Sequence, residues 1–143
     1  VQTRFTGDGS CWQVRDAGAG GAEVWRTCDY SLLGFSPDGR HLLGFTDYLT
    51  GDGSATLAVL DAATGERVVD FELAGSRTGV VGINPEVAWE DDGTVVAAVV
   101  TGGQQYVVRL GLDGTVERVG GEAVDVEPGD VRLMLAAPSV MLR

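Results

Sequence analysis

Thr6-Gly-Asp-Gly-Ser10 returns as Thr50-Gly-Asp-Gly-Ser54, 44 residues later, and this self-similarity constrains the fold more than any other feature of the chain. Repeats with a period of roughly 20–50 residues mark one supersecondary unit stacked on copies of itself. The residues after each copy are also alike. Cys11-Trp-Gln-Val-Arg-Asp16 precedes a turn of small residues and a second apolar segment. Thr56-Leu-Ala-Val-Leu-Asp61 precedes Ala62-Ala-Thr-Gly65 and the segment Glu66 to Leu73. A second match links Phe35-Ser-Pro-Asp-Gly39 to Trp89-Glu-Asp-Asp-Gly93, 54 residues apart. In both, an aromatic residue closes one segment and an Asp-Gly turn opens an apolar one.

Period-two alternation, β-branched residues and a Gly-containing turn every ten or so residues read as strands throughout. Asp-Gly suits hairpins because it tolerates the positive φ of tight turns. One full copy has strands at about 32–35, 41–48, 56–61 and 66–73, and the next at about 86–89, 94–100, 105–111 and 115–119. Four antiparallel strands per repeat of this length form the blade of a β-propeller. The expected class is therefore all-β, a propeller fragment of about three four-stranded blades. It divides into a partial blade at 1–30, blades at 31–75 and 86–121, and the first strand of a further or shared blade at 131–138. Residues 1–5 would end the second strand of the partial blade. Propellers typically carry about four to eight blades, so three do not close a ring. Three arrangements fit this count: a missing segment completes the ring, a second copy completes it, or the domain is a β-sandwich.

Phe35-Ser-Pro-Asp-Gly-Arg-His-Leu-Leu43 resembles the WD40-like repeats of bacterial TolB-like propellers, in which this stretch links the innermost strand to the second. The second copy departs from the pattern, with Glu90-Asp-Asp92 in place of Ser-Pro-Asp. The resemblance implies a scaffold fold without naming a ligand, because propellers host unrelated functions.

Composition narrows the function. Twenty-one acidic against ten basic residues give a net charge of −11, which argues against nucleic acid and anionic membrane surfaces as partners. The longest uninterrupted apolar run, Val95 to Val100, is far shorter than the ~20 residues of a membrane span. The N-terminus lacks the basic and apolar regions of a signal peptide, and its start at Val1 reads as a trimmed, processed or partial chain.

Cys11 and Cys28 fit neither a redox Cys-x-x-Cys motif nor a zinc set. If the hairpin around Asp16–Ala22 folds about its midpoint, Cys11 faces Cys28, Trp12 faces Thr27 and Trp25 pairs with Val14. That register allows a disulfide, and with it an oxidising, extracytoplasmic location; two buried thiols are the alternative.

No catalytic, cofactor-binding or metal-binding residue is assigned. His41 stands alone, without the serine and carboxylate partners of a hydrolytic triad. Asp8, Asp52, Glu90, Asp91 and Asp92 offer oxygens for Ca²⁺, but turn-forming roles account for them better. Trp12, Trp25 and Trp89 read as packing between blades and not as a sugar-binding stripe. Two functions remain as expectations. One is a non-enzymatic binding or scaffold propeller of an exported or envelope-associated bacterial protein, its partner a protein, the missing half or a second copy. The other is the propeller portion of a larger hydrolase of the prolyl-oligopeptidase type, gating its active site.

Overall fold

The computed structural model describes residues 2–6, 9–46, 56–72 and 82–125, and every regular element among them is a β-strand. The strands form three antiparallel sheets, each a meander in chain order. The N-terminal sheet holds β1 (Gln2–Thr6), β2 (Gly9–Asp16) and β3 (Ala22–Thr27). The middle sheet holds β4 (Ser31–Phe35), β5 (His41–Phe45), β6 (Thr56–Asp61) and β7 (Arg67–Glu72). The C-terminal sheet holds β8 (Gly82–Trp89), β9 (Thr94–Thr101), β10 (Gln104–Gly111) and β11 (Val116–Asp125). The expected strand at 131–138 and the Thr50–Ser54 copy of the repeat lie outside the described residues. Among the described residues no helix is long and apolar enough to cross a membrane.

Turn chemistry explains where strands end. Gly102 and Gly103 both take positive φ, so a two-residue loop joins β9 to β10, with Thr101 opposite Gln104. Asp61 accepts hydrogen bonds from the N–H groups of Ala63 and Thr64, and Gly65 at φ 77° turns the chain into β7. Three strands differ from the sequence reading by more than two residues: β5 stops at Phe45 within the expected 41–48, of which 47–48 lie outside the described residues. β8 begins at Gly82, four residues before the expected Glu86, and β11 runs on to Asp125 past the expected Val119. The cause in β11 is a register shift opposite Gln105–Val107, with Gly120 at φ 84° in the shifted stretch. A bulge absorbs extra residues on one strand and lets pairing resume beyond it.

The middle sheet is buried on both faces. One face brings Leu43, Phe45, Leu57, Val59 and Phe71 against Val95, Ala97, Val99, Val108 and Leu110 of the C-terminal sheet. The other brings Leu32, Leu42, Ala58 and Leu60 against Val14, with Trp12, Trp25 and Tyr30 packed alongside. This explains why Leu57-Ala-Val-Leu60 is an unbroken apolar run: neither set of alternating side chains faces water. Each fully buried Leu or Phe removes apolar area equivalent to about 1.5–3 kcal/mol. Among the strand residues whose burial is described, those of the outermost strands β3, β7 and β11 make up most of the exposed ones.

Candidate functional site

The hairpin turns of the middle and C-terminal sheets meet at one end of the molecule, and most of the polar residues singled out in the sequence lie there. Ala62 N–H donates to the Arg40 carbonyl, bringing the β4–β5 and β6–β7 turns side by side. Leu112 N–H donates to the Gly93 carbonyl and does the same for the β8–β9 and β10–β11 turns. The two pairs are joined by Asp92, whose Oδ1 accepts from Asp38 N–H at 2.9 Å.

Ser36 organises the first turn. Its hydroxyl donates to Asp38 Oδ1 at 2.6 Å and accepts from His41 N–H at 3.0 Å. Gly39 comes next at φ 73°, a conformation L side chains rarely take. The Phe-Ser-Pro-Asp-Gly stretch is thus a self-contained turn in which the serine hydroxyl bridges entry and exit. The Ser36 hydroxyl and the Arg40 N–H hold the Asp38 carboxyl below the usual carboxylate range. Asp61 is lowered by the N–H groups of Thr64 and Ala63, Asp91 by Gly93 N–H and the Thr94 side chain, and Asp113 by the hydroxyl and N–H of Thr115. An aspartate performs the same work in each of these turns.

Of the five candidate calcium ligands, the three among the described residues are each engaged separately. Asp8 and Asp52 lie outside the described residues. Glu90 forms a two-point ion pair with Arg109, Nη2 to Oε1 at 2.7 Å, and its carboxyl is lowered by that contact. Glu117 approaches the same guanidinium at 3.4 Å. Asp91 caps Gly93, and Asp92 holds Asp38. Among the described residues no three His, Cys, Asp or Glu side chains surround a position suited to a metal ion.

Ser36, Asp38 and His41 lie within six residues, yet their geometry is not that of a triad. The serine proton is directed at the carboxylate, and the histidine joins the cluster through its backbone. The His41 ring instead sits 6.2 Å from the Trp89 ring, tilted by 33°. A general base must lie within hydrogen-bond reach of the proton it takes, and here the imidazole faces an indole.

The tryptophans join sheets. Trp25 Nε1 donates to the Ala62 carbonyl at 2.8 Å, linking the N-terminal sheet to the β6–β7 turn. Trp89 Nε1 donates to the Gly34 carbonyl at 3.3 Å, linking the C-terminal sheet to β4. Trp12 and Trp25 pack on the same cluster, as the Val14–Trp25 pairing requires.

Cys11 and Cys28 form a disulfide with their Cα atoms 4.1 Å apart. The register places Trp12 opposite Thr27 and Val14 opposite Trp25, so folding the hairpin about its midpoint gives the observed pairing. Sequence reading missed the roles of Ser36, Asp61 and Arg109. The first two carried a signal, since Asp or Ser shortly before a Gly turn is a capping position. For Arg109 the hairpin turn at 112–114 signalled only the cross-strand neighbour Glu117; its closer partner Glu90 is 19 residues away on another strand connection.

No family model and no curated protein matches this chain. A solved structure described as "KlHsv2 with loop 6CD replaced by a Gly-Ser linker" is similar at a TM-score of 0.40 and 17% identity. The match covers 75% of this chain and 36% of that one, so the chain spans little more than a third of its length. At that score the likeness assigns neither a family nor a function.

Proposed function

We propose that the three stacked sheets are blades of a β-propeller resembling the WD40-like, TolB-like repeat proteins, completed by further chain or by a second copy. In this reading the chain is a non-enzymatic binding or scaffold segment of an exported or envelope-associated bacterial protein. One observation carries it: the middle sheet is buried on both faces between two other meander sheets, the way a blade lies between its neighbours. Support for the location comes from the Cys11–Cys28 disulfide, since such bonds persist in oxidising compartments. Protein partners would meet the turn face, where Arg40 and Glu66 are exposed.

The test is affinity capture from an extracytoplasmic extract under oxidising conditions, with the wild type and an Arg40→Glu/Glu66→Arg variant. A partner retained by the wild type and lost by the variant is the expected result. No enriched partner, or one retained equally by both, overturns the assignment of binding to this face. A hydrolase domain encoded in the same open reading frame would replace the scaffold reading with the gating one.

A further inference from the structure

Between the outer strand of the middle sheet and the C-terminal sheet lies a groove of about 250 Å³. Phe71, Val99, Val108, Leu110 and Val116 supply its apolar surface, and Asp70 and Glu72 stand on its β7 side. Its volume falls below the ~300–1,000 Å³ of sites that enclose a cofactor or a drug-sized ligand. It suits one large apolar side chain. Beside it, β7 pairs with β6 alone among the described residues. Alternate N–H and C=O groups of β7 therefore face outward, as on any sheet edge. Val116, on the β11 wall of the groove, is 60% exposed, so apolar surface in the groove is open to solvent.

We infer that this groove is a binding site for an extended peptide of alternating basic and apolar residues. The peptide adds a strand to β7, sets one large apolar side chain over Phe71 and Leu110, and points lysine or arginine at Asp70 and Glu72. Strand addition divides the work in this way: main-chain hydrogen bonds supply affinity and side-chain pockets supply selectivity. Charge selects the occupant. Asp70 is partly neutralised by Arg67 at 2.8 Å, and Glu72 supplies the second carboxylate of the rim. A second copy of a chain with net charge −11 meets this rim with like charge, whereas a cationic peptide is drawn to it. The site is formed by β7, β9, β10 and β11, and the inference holds whether or not the sheets belong to a larger ring.

The experiment uses a fluorescein-labelled seven-residue peptide alternating lysine and valine with a central phenylalanine, followed by anisotropy at low and moderate salt. Saturable binding is expected, weakened by roughly tenfold or more in Glu72→Lys, and by a similar factor when the central phenylalanine is alanine. N-methylation of alternate peptide nitrogens should weaken binding as well, a change that charge attraction alone would not feel. Arg26→Glu on the N-terminal sheet serves as the control and should leave binding unchanged. Glu72 is exposed, so its variant keeps the fold, which circular dichroism checks. Equal binding by the wild type and Glu72→Lys, or insensitivity to N-methylation, overturns the proposal in favour of nonspecific charge attraction. Absence of saturable binding overturns it outright. Self-association at rising concentration that Glu72→Lys abolishes assigns the groove to a second copy and overturns it too.

Discussion

The Asp92 carboxylate accepts a hydrogen bond at 2.9 Å from the backbone N–H of Asp38, 54 residues earlier in the chain. The two aspartates occupy corresponding places in the two Asp-Gly turns that the sequence repeat aligns. One uses its side chain within its own turn, and the other reaches across to the neighbouring sheet. The repeat therefore specifies local turns and also supplies the contact that sets one sheet against the next.

Replacing Asp92 tests that contact. Asp92→Ala leaves the Asp38 N–H without its acceptor and should lower the thermal midpoint by roughly 2–4 °C. Asp92→Asn keeps an acceptor oxygen and should stay closer to the wild type. Differential scanning calorimetry of the two variants checks the order.

Gly65 should not tolerate a side chain. A Cβ there would stand 2.9 Å from two ring carbons of Trp25, and the backbone sits at φ 77°. Left-handed strain and overpacking together should cost Gly65→Ala about 2–4 kcal/mol in urea unfolding. If Trp25→Leu is made first, the steric part should shrink while the backbone part stays.

Phe45 is fully buried between the middle and C-terminal sheets. Phe45→Ala should cost about 3–5 kcal/mol, the usual loss of an aromatic core side chain with the cavity left behind. Denaturant unfolding of the variant measures this directly, and a cost below about 1 kcal/mol would mean the two sheets are not packed as described.

The disulfide closes a loop between residues 17 apart in sequence. On the chain-entropy account it should contribute roughly 3 kcal/mol. Urea unfolding with and without reductant, and of Cys11→Ser/Cys28→Ser, should show the same loss. An unchanged midpoint in both would refute the contribution.

Stability should fall in acid. Glu90 is held below its ordinary 4.5 by Arg109, and Asp38, Asp61, Asp91 and Asp113 below their ordinary 3.8 by turn hydrogen bonds. A carboxylate lowered in the folded state binds protons more weakly there than in the unfolded chain. Its stabilisation is present above the unfolded value and is lost as pH falls through the folded one. The urea midpoint should therefore hold from pH 7 to about 5 and decline below about 4.5. Glu90→Gln should remove the part of that slope due to the Arg109 pair.

The sequence by itself determined the all-β class, most strand positions, the turns and the hairpin register that sets Cys11 opposite Cys28. These depend on side-chain alternation and turn residues within windows of about ten residues, and a hairpin's register is set by where its turn lies. Even the Asp16 turn, with its N–H bonds from Gly18 and Ala19, is readable this way. The tertiary structure decided the rest. Only the placement of one sheet on another joins Trp25 to Ala62, Trp89 to Gly34 and Asp38 to Asp92. The groove beside β7 arises in the same way. Those partners are 37 to 55 residues apart, and no local periodicity encodes the distance between two packed sheets. The unbroken run of β6 shows the division: its composition marked a strand, but its burial on both faces required the two neighbouring sheets.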